Sequence, residues 1–172
     1  SPLPTGLTPE GGLQKMVRAV LFDIYGTLFI SGSGDIGTMR RQAQAEKIEI
    51  LVRKYRLNRA SGELTDAFFE RIETVHRQKK ADGVEAPEVE IDRIWMSVLE
   101  IEDRCLARRF SVEYELIVNP VYPMPGAEET LAGSCRRGLH LGIVSNAQFF
   151  TPWLFEWFFG NPPERLGFDP EL

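Results

Sequence analysis

Two short apolar runs, far apart in the chain and each ending on polar residues, restrict the fold more than any other feature. Val17-Arg-Ala-Val-Leu-Phe-Asp23 stops at a carboxylate with Gly26 close behind, and Leu139-His-Leu-Gly-Ile-Val-Ser145 stops at Ser145-Asn146. Runs of this kind suit strands of a parallel sheet, which stay apolar along their length because both faces are covered. Each strand would deliver its polar end to the carboxyl edge of the sheet, the edge at which open α/β sheets bind ligands. The two ends are therefore expected together.

The sequence between the runs has helical periodicity. Ile48, Leu51, Val52 and Tyr55 fall at i, i+3, i+4 and i+7 and predict a helix from Thr38 to Arg56. Leu64, Phe68, Ile72 and Val75 predict a second, with Ser61 as its N-cap. A third uses Ile91, Ile94, Trp95, Val98 and Leu99, and a shorter fourth follows Ser111 through Val112, Leu116 and Ile117. Helices joined by short loops are expected to pack as a bundle. The proline-rich stretch Asn119-Pro-Val-Tyr-Pro-Met-Pro-Gly126 ends this pattern, and Ala127 to Arg137 predicts one more helix with Gly138 closing it. The expected organisation is a leader or extension at 1–15, an α/β core from 16–31 and 120–172, and a helical insert at 32–119.

Composition narrows the partners. A formal charge of -5, with both signs interspersed, offers no basic face for nucleic acid. A small anionic substrate would need local donors or a metal. Cys105 and Cys135 are too few for a disulfide framework, residues 1–14 do not read as a secretory signal, and no apolar run reaches membrane-spanning length. A cytoplasmic protein with no membrane partner is the expectation.

The segment Phe22-Asp23-Ile24-Tyr25-Gly26-Thr27-Leu28 resembles motif I of the haloacid dehalogenase superfamily, in which an Asp closes the first strand and a Gly-Thr-Leu turn follows. Pro125-Gly126, Leu131, Gly138 and Gly142-Ile-Val-Ser145-Asn146 resemble that family's approach to its motif II. The resemblance covers nearly everything after Met16. It implies a three-layer, Rossmann-like α/β core with parallel strands, incomplete in this chain, and makes the insert a helical cap. The plainer alternative is a turn-forming Asp23 and a helix-capping Ser145-Asn146, and two motifs in the family's order weigh against it.

The resemblance also implies roles. Asp23 would be the nucleophile, forming a covalent ester or acyl phosphate that water later hydrolyses. Thr27 and Ser145, with nearby backbone N–H groups, would donate to oxygens of the transferring group, and Asn146 would orient the nucleophile or a substrate oxygen. In a phosphatase-type reaction Mg²⁺ would sit on Asp23 and the backbone carbonyl of Tyr25, whereas a dehalogenase-type reaction needs no cofactor.

Departures from the family pattern keep both reactions open. Phosphatases of the superfamily usually carry a second Asp two residues after the nucleophile, to protonate the leaving alkoxide. Tyr25 stands there, as in the 2-haloacid dehalogenases, whose leaving halide needs no proton. Base rate favours a phosphatase-type reaction on a small molecule, and Tyr25 pulls towards C–halogen hydrolysis. Arg40, Arg41 and Arg53 are candidates for holding a substrate anion, although a solvated helix face explains each more simply. The family's motif III Lys and motif IV acids have no counterpart before Leu172, and Asp169 sits in a Pro-flanked loop with no strand leading to it. The expectation is a piece of a longer protein, or one that needs another chain, with weak turnover by itself.

Two other classes compete. Gly32-Ser-Gly34-Asp-Ile-Gly37 fits a G-x-G-x-x-G fingerprint, but a dinucleotide site needs a second strand ending in an acid roughly 20 residues on, where this sequence predicts helix. The glycines read instead as a hinge. A noncatalytic interaction protein on the same fold is the other rival. Its support is the aromatic run from Phe149 to Phe159, apolar on nearly every side, which would pack on missing core or join two copies in a homo-oligomer. His76 and His140 are isolated and read as a surface and a strand residue.

Overall fold

The computed structural model describes residues 16–31 and 38–171, giving only the backbone over 38–43. The leader at 1–15 and the glycines at 32–37 lie outside the described residues, as do the side chains of Arg40 and Arg41. The chain divides into two compact units, Ser1–Ser31 with Val121–Leu172 and Gly32–Pro120.

The helical unit contains α1 (Thr38–Lys54), α2 (Ser61–Ala81), α3 (Ile91–Leu99) and α4 (Arg104–Val118). The predicted stripes are its core: Ile48, Leu51, Val52, Leu64, Phe68, Ile94, Trp95 and Val98 are all buried. At the centre Trp95 stacks on Phe68 with ring centroids 4.4 Å apart, and meets Phe110 and Tyr114 edge-on at 4.7 Å each. Ring geometries of this kind add to the area they bury.

Two helix starts differ from expectation. Ser61 is the first helical residue of α2 and Ala60 the N-cap, where the Glu63 carboxylate accepts from the Ala60 N–H at 3.4 Å. That is half of a capping box, with no side chain to make the other half. α4 begins at Arg104, well before Ser111, because Asp103 caps it by accepting from the Leu106 N–H at 3.0 Å. Its early turns carry Arg104, Arg108 and Arg109, which hid the helix from a search for apolar spacing. Two of those arginines serve the interior: the Nε groups of Arg104 and Arg108 donate to Asp92 Oδ2 at 2.8 and 2.7 Å, and Asp92 is buried.

The α/β unit contains β1 (Ala19–Phe22), β2 (Phe29–Ser31), β3 (Val121–Pro123), α5 (Ala127–Arg136), β4 (His140–Ile143) and α6 (Thr151–Phe159). β1 and β4 pair in parallel, from Ala19 opposite His140 to Phe22 opposite Ile143. The chain thus has the α/β architecture with parallel strands that its two apolar runs predict. Val20, Phe22, Leu141 and Ile143 belong to a core shared with Leu131, Leu154, Phe155 and Phe168. The alternate residues face the other way, where Leu21 is 57% exposed and Val144, just past the strand, 60% exposed.

Asp169 is not in an isolated loop. Phe168 makes a parallel bridge to Leu141, and the Asp169 N–H donates to the Leu141 carbonyl at 2.8 Å. The N–H groups of His140 and Val144 are directed to β1, so Leu141 offers its carbonyl on the opposite edge of β4. A third strand position therefore opens beside β4 at Phe168. The contact pairs residues distant in sequence, with Pro170 directly after, so no local strand pattern announces it.

β2 and β3 form an antiparallel ribbon that the sequence did not suggest, with Phe29 opposite Pro123 and Ser31 opposite Val121. The Met124 N–H extends it by donating to the Leu28 carbonyl at 2.8 Å. Along α6, Leu154 and Phe155 are buried, whereas Trp153, Trp157 and Phe158 are 39%, 53% and 38% exposed. No helix among the described residues is long and apolar enough to cross a membrane.

Candidate functional site

Asp23 follows the last residue of β1, and the register fixes what lies beside it. Phe22 is opposite Ile143, so Asp23 and Val144 leave the sheet in step and Ser145-Asn146 come next on the same carboxyl edge. Asp23 and Asn146 are exposed and Ser145 is half-buried. The fold thus gathers three of the four predicted side chains from opposite ends of the sequence at one edge.

The fourth, Thr27, is exposed in a tight turn built on one carbonyl. Ile24 O accepts from the N–H groups of Thr27, Leu28 and Phe29 at 3.3, 2.9 and 2.9 Å, and the Gly26 N–H donates to Phe29 O at 2.7 Å. Gly26 sits at φ 90°, a left-handed conformation that a side chain would strain. Ile24 and Leu28, each 2% exposed, pin the turn to the core. This geometry narrows one expectation. The N–H groups of residues 26–29 are spent inside the turn, so the Thr27 and Ser145 hydroxyls carry more of any donation to a substrate oxygen.

Tyr25, half-buried in the same turn, has its phenol oxygen 3.0 Å from Thr151 Oγ1. Thr151 is 1% exposed, begins α6, and accepts from the Gln148 N–H at 3.1 Å. Sequence reasoning passed over Thr151, although a Thr-Pro pair opening an apolar run is a recognisable helix-start signal.

Other candidates separate from this edge. Arg53 pairs with Glu49 one turn away at 3.4 Å and is 76% exposed, in keeping with a solvated helix face. His76 belongs to α2 and His140 to β4. The carboxylate of Asp169 accepts from the Glu171 N–H at 2.9 Å. Where a second β-strand would have to follow the Gly32 fingerprint, α1 is helical instead. Cys105 and Cys135 are free and exposed.

No group of three or more His, Cys, Asp or Glu side chains gathers among the described residues. The sheet edge offers the Asp23 carboxylate and main-chain oxygens, a hard oxygen donor set. That chemistry suits Mg²⁺, which is commonly held by one or two carboxylates with water and substrate oxygens completing its shell.

A family model described as haloacid dehalogenase-like hydrolase matches residues 17–155, and the chain belongs to that family. No curated protein matches it. Among solved structures it is similar to CbbY from Rhodobacter sphaeroides in complex with phosphate, at 14% identity and a TM-score of 0.43 over 88% of this chain and 61% of that one. A dehalogenase matches at 16% identity and TM-score 0.40, over 92% of this chain and 67% of the other. A predicted phosphoglycolate phosphatase from Haemophilus somnus 129pt matches at 18% identity and TM-score 0.38, over 84% and 59%. The chain spans less than two thirds of the length of the first of these.

Proposed function

We propose that the protein is a hydrolase that works through a covalent intermediate on Asp23, with a small phosphate monoester as the favoured substrate class. The observation that carries this reading is the placement of Asp23 at the carboxyl end of β1, in register with the strand that delivers Ser145-Asn146. A carboxylate oxygen of Asp23 attacks phosphorus and forms an acyl phosphate while the P–O bond to the alcohol breaks. The alkoxide takes a proton from water. Water then adds to phosphorus, the bond to Asp23 breaks, and inorganic phosphate leaves. The Thr27 and Ser145 hydroxyls donate to phosphoryl oxygens, and the Asn146 amide steadies the attacking carboxylate. Mg²⁺, held by Asp23 and the Tyr25 carbonyl, would offset the repulsion between carboxylate and phosphate.

A second reading rests on Tyr25. Where a phosphatase of this family has a carboxylic acid, this chain has a phenol bonded to Thr151. A phenol is a weaker proton donor at neutral pH than a tuned carboxyl. Displacement of halide from a 2-haloacid needs no such proton: Asp23 attacks carbon, halide leaves, and water hydrolyses the ester.

The helical insert at 32–119 is proposed as the cap, and a cytoplasmic setting is proposed with it. The test measures turnover of phosphate monoesters and 2-haloacids, with and without Mg²⁺, for the full-length protein and its Asp23→Asn variant. Phosphate release that needs both Mg²⁺ and Asp23 is expected. Halide release independent of Mg²⁺ would select the second reading, and turnover unchanged in Asp23→Asn would remove both.

A further inference from the structure

We propose that a cavity lined by α1, α2 and α4 of the helical unit binds a small apolar molecule that carries a primary ammonium group. The cavity lies wholly within that unit, so the proposal needs neither the chemistry of Asp23 nor any arrangement of the two units.

The cavity measures about 390 Å³, a size common among small-molecule sites. Its most buried lining residue is Tyr114, 2% exposed, whose ring packs against Trp95 at 4.7 Å and Phe68 at 5.5 Å. Ile48 and Val118 add aliphatic surface. Phe69 lines the same cavity but is 55% exposed, although its neighbour Phe68 is buried. An occupant would therefore take apolar surface of Phe69 out of water, which favours binding. Because Tyr114 is fixed in the aromatic centre of the bundle, that side of the cavity needs little ordering when it is filled.

The sign of the ligand's polar end follows from where the lining groups send their hydrogens. The Tyr114 phenol donates to Thr65 Oγ1 at 3.3 Å, and the Thr65 hydroxyl donates to the Ser61 carbonyl at 3.0 Å. The Gln44 amide nitrogen donates to the carbonyls of Val118 and Ile117 at 3.1 and 3.4 Å. These hydrogens are all committed to the protein. The Asp66 carboxylate, by contrast, has no hydrogen-bond or ion-pair partner among the described residues, and Asp66 is the one charged residue among those that line the cavity.

One feature acts in the opposite sense. Ser61 and Gly62 are the first residues of α2, and the N–H groups at a helix start favour negative charge. A helix end is equivalent to about half an elementary charge, whereas Asp66 carries a full one. The Glu63 carboxylate also already accepts from the Ala60 N–H at that end, at 3.4 Å. Negative charge therefore dominates. An ammonium group brings three donors and a positive charge to Asp66, and aromatic rings attract cations at their faces.

The test titrates the full-length protein with three probes of similar body and different charge: phenethylammonium, 2-phenylethanol and 3-phenylpropionate. Binding is read from the ¹³C-methyl resonances of Ala45, Ile48 and Thr65. Saturable shifts are expected, tightest for the ammonium and weakest for the carboxylate. Asp66→Asn should weaken the ammonium about fivefold, as for a partly solvated ion pair, and leave the alcohol unchanged. Ala45→Trp, at an exposed position of α1 that lines the cavity, should abolish binding of all three with the unfolding midpoint retained. Absence of saturable shifts, equal affinity for the three probes, or an ammonium affinity indifferent to Asp66→Asn overturns the proposal. Tightest binding of the carboxylate also overturns it, and would assign the cavity to an anion at the start of α2. None of these outcomes bears on Asp23, whose reading is tested by turnover.

Discussion

The helical unit and the α/β unit bury apolar surface in different ways. In the helical unit, aromatic rings meet at its centre, and the buried Asp92 carboxylate is held by two guanidinium groups. In the α/β unit, two short strands share one covered face, while Leu21, Val144, Trp157 and the proposed site's Asp23, Thr27 and Asn146 lie towards solvent. Interior packing sets stability, whereas a site must present polar groups that a core would reject. The comparison teaches that the two units should respond oppositely to substitution: the first in stability, the second in activity.

The largest expected effect is on chemistry. Asp23→Asn should cut turnover by about a thousandfold or more, as for other covalent nucleophiles, with the unfolding midpoint nearly unchanged because Asp23 is exposed. A large stability loss in this variant would break the comparison from the α/β side. Next is Trp95→Ala, which should cost about 3–5 kcal/mol in denaturant unfolding by leaving a cavity among Phe68, Phe110 and Tyr114. A cost under about 1 kcal/mol would mean that the bundle centre is loosely packed.

Asp92→Ala should cost about 2–3 kcal/mol, less than a fully buried pair because Arg104 and Arg108 remain partly in water. Burial pushes the Asp92 carboxyl up, but donation from Arg104 and Arg108 outweighs it and holds the carboxyl below its usual range. The folded-state value is thus depressed. The stability it contributes is present above the unfolded carboxylate range and is lost as pH falls through the lower folded value. Wild type should therefore lose its advantage over Asp92→Ala in strong acid, read from paired unfolding curves.

Glu115 has the opposite sign. Burial raises its carboxyl above the usual range, and the hydrogen bond from Asn119 at 2.8 Å only partly offsets this. An acid with a raised folded value loses stability as pH rises from its unfolded to its folded value. Glu115→Gln should therefore gain a few tenths of a kcal/mol at neutral pH, roughly the size of a modest surface effect, and nothing in acid. The smallest effect is expected for Leu21→Thr on the bare side of β1, within about 0.5 kcal/mol. A larger loss there would show that this face is covered in solution.

The features legible in the sequence were those with a local cause. Val17–Asp23 and Leu139–Ser145 declared strands because each stays apolar until it ends in a polar group, and that logic also placed Asp23 and Ser145-Asn146 at one edge. The stripes through Leu51, Phe68 and Trp95 declared helices because helical spacing repeats within a few residues. What escaped depends on partners far along the chain. Phe29-Ile-Ser31 is too short to announce a strand, and Val121-Tyr-Pro123 is as short and lies within a proline-rich stretch. Each is one only because the other pairs with it. Arg104 and Arg108 interrupt the apolar spacing at the start of α4, and their role depends on Asp92, on another helix, as their acceptor. Phe168 is a bridge only beside Leu141, and Thr151 mattered only once Tyr25 was seen against it.

The β2–β3 ribbon has an architectural consequence. Because Ser31 is paired with Val121, the segment between them departs and returns through a single doorway whose two posts are hydrogen-bonded to each other. The entropy of closing such a loop grows only with the logarithm of its length, about 0.6 kcal/mol per doubling. The α/β unit is thus nearly indifferent to how much chain passes through the doorway. The helical unit can be lengthened, shortened or exchanged as a module, while Asp23 and the strand that faces it keep their register.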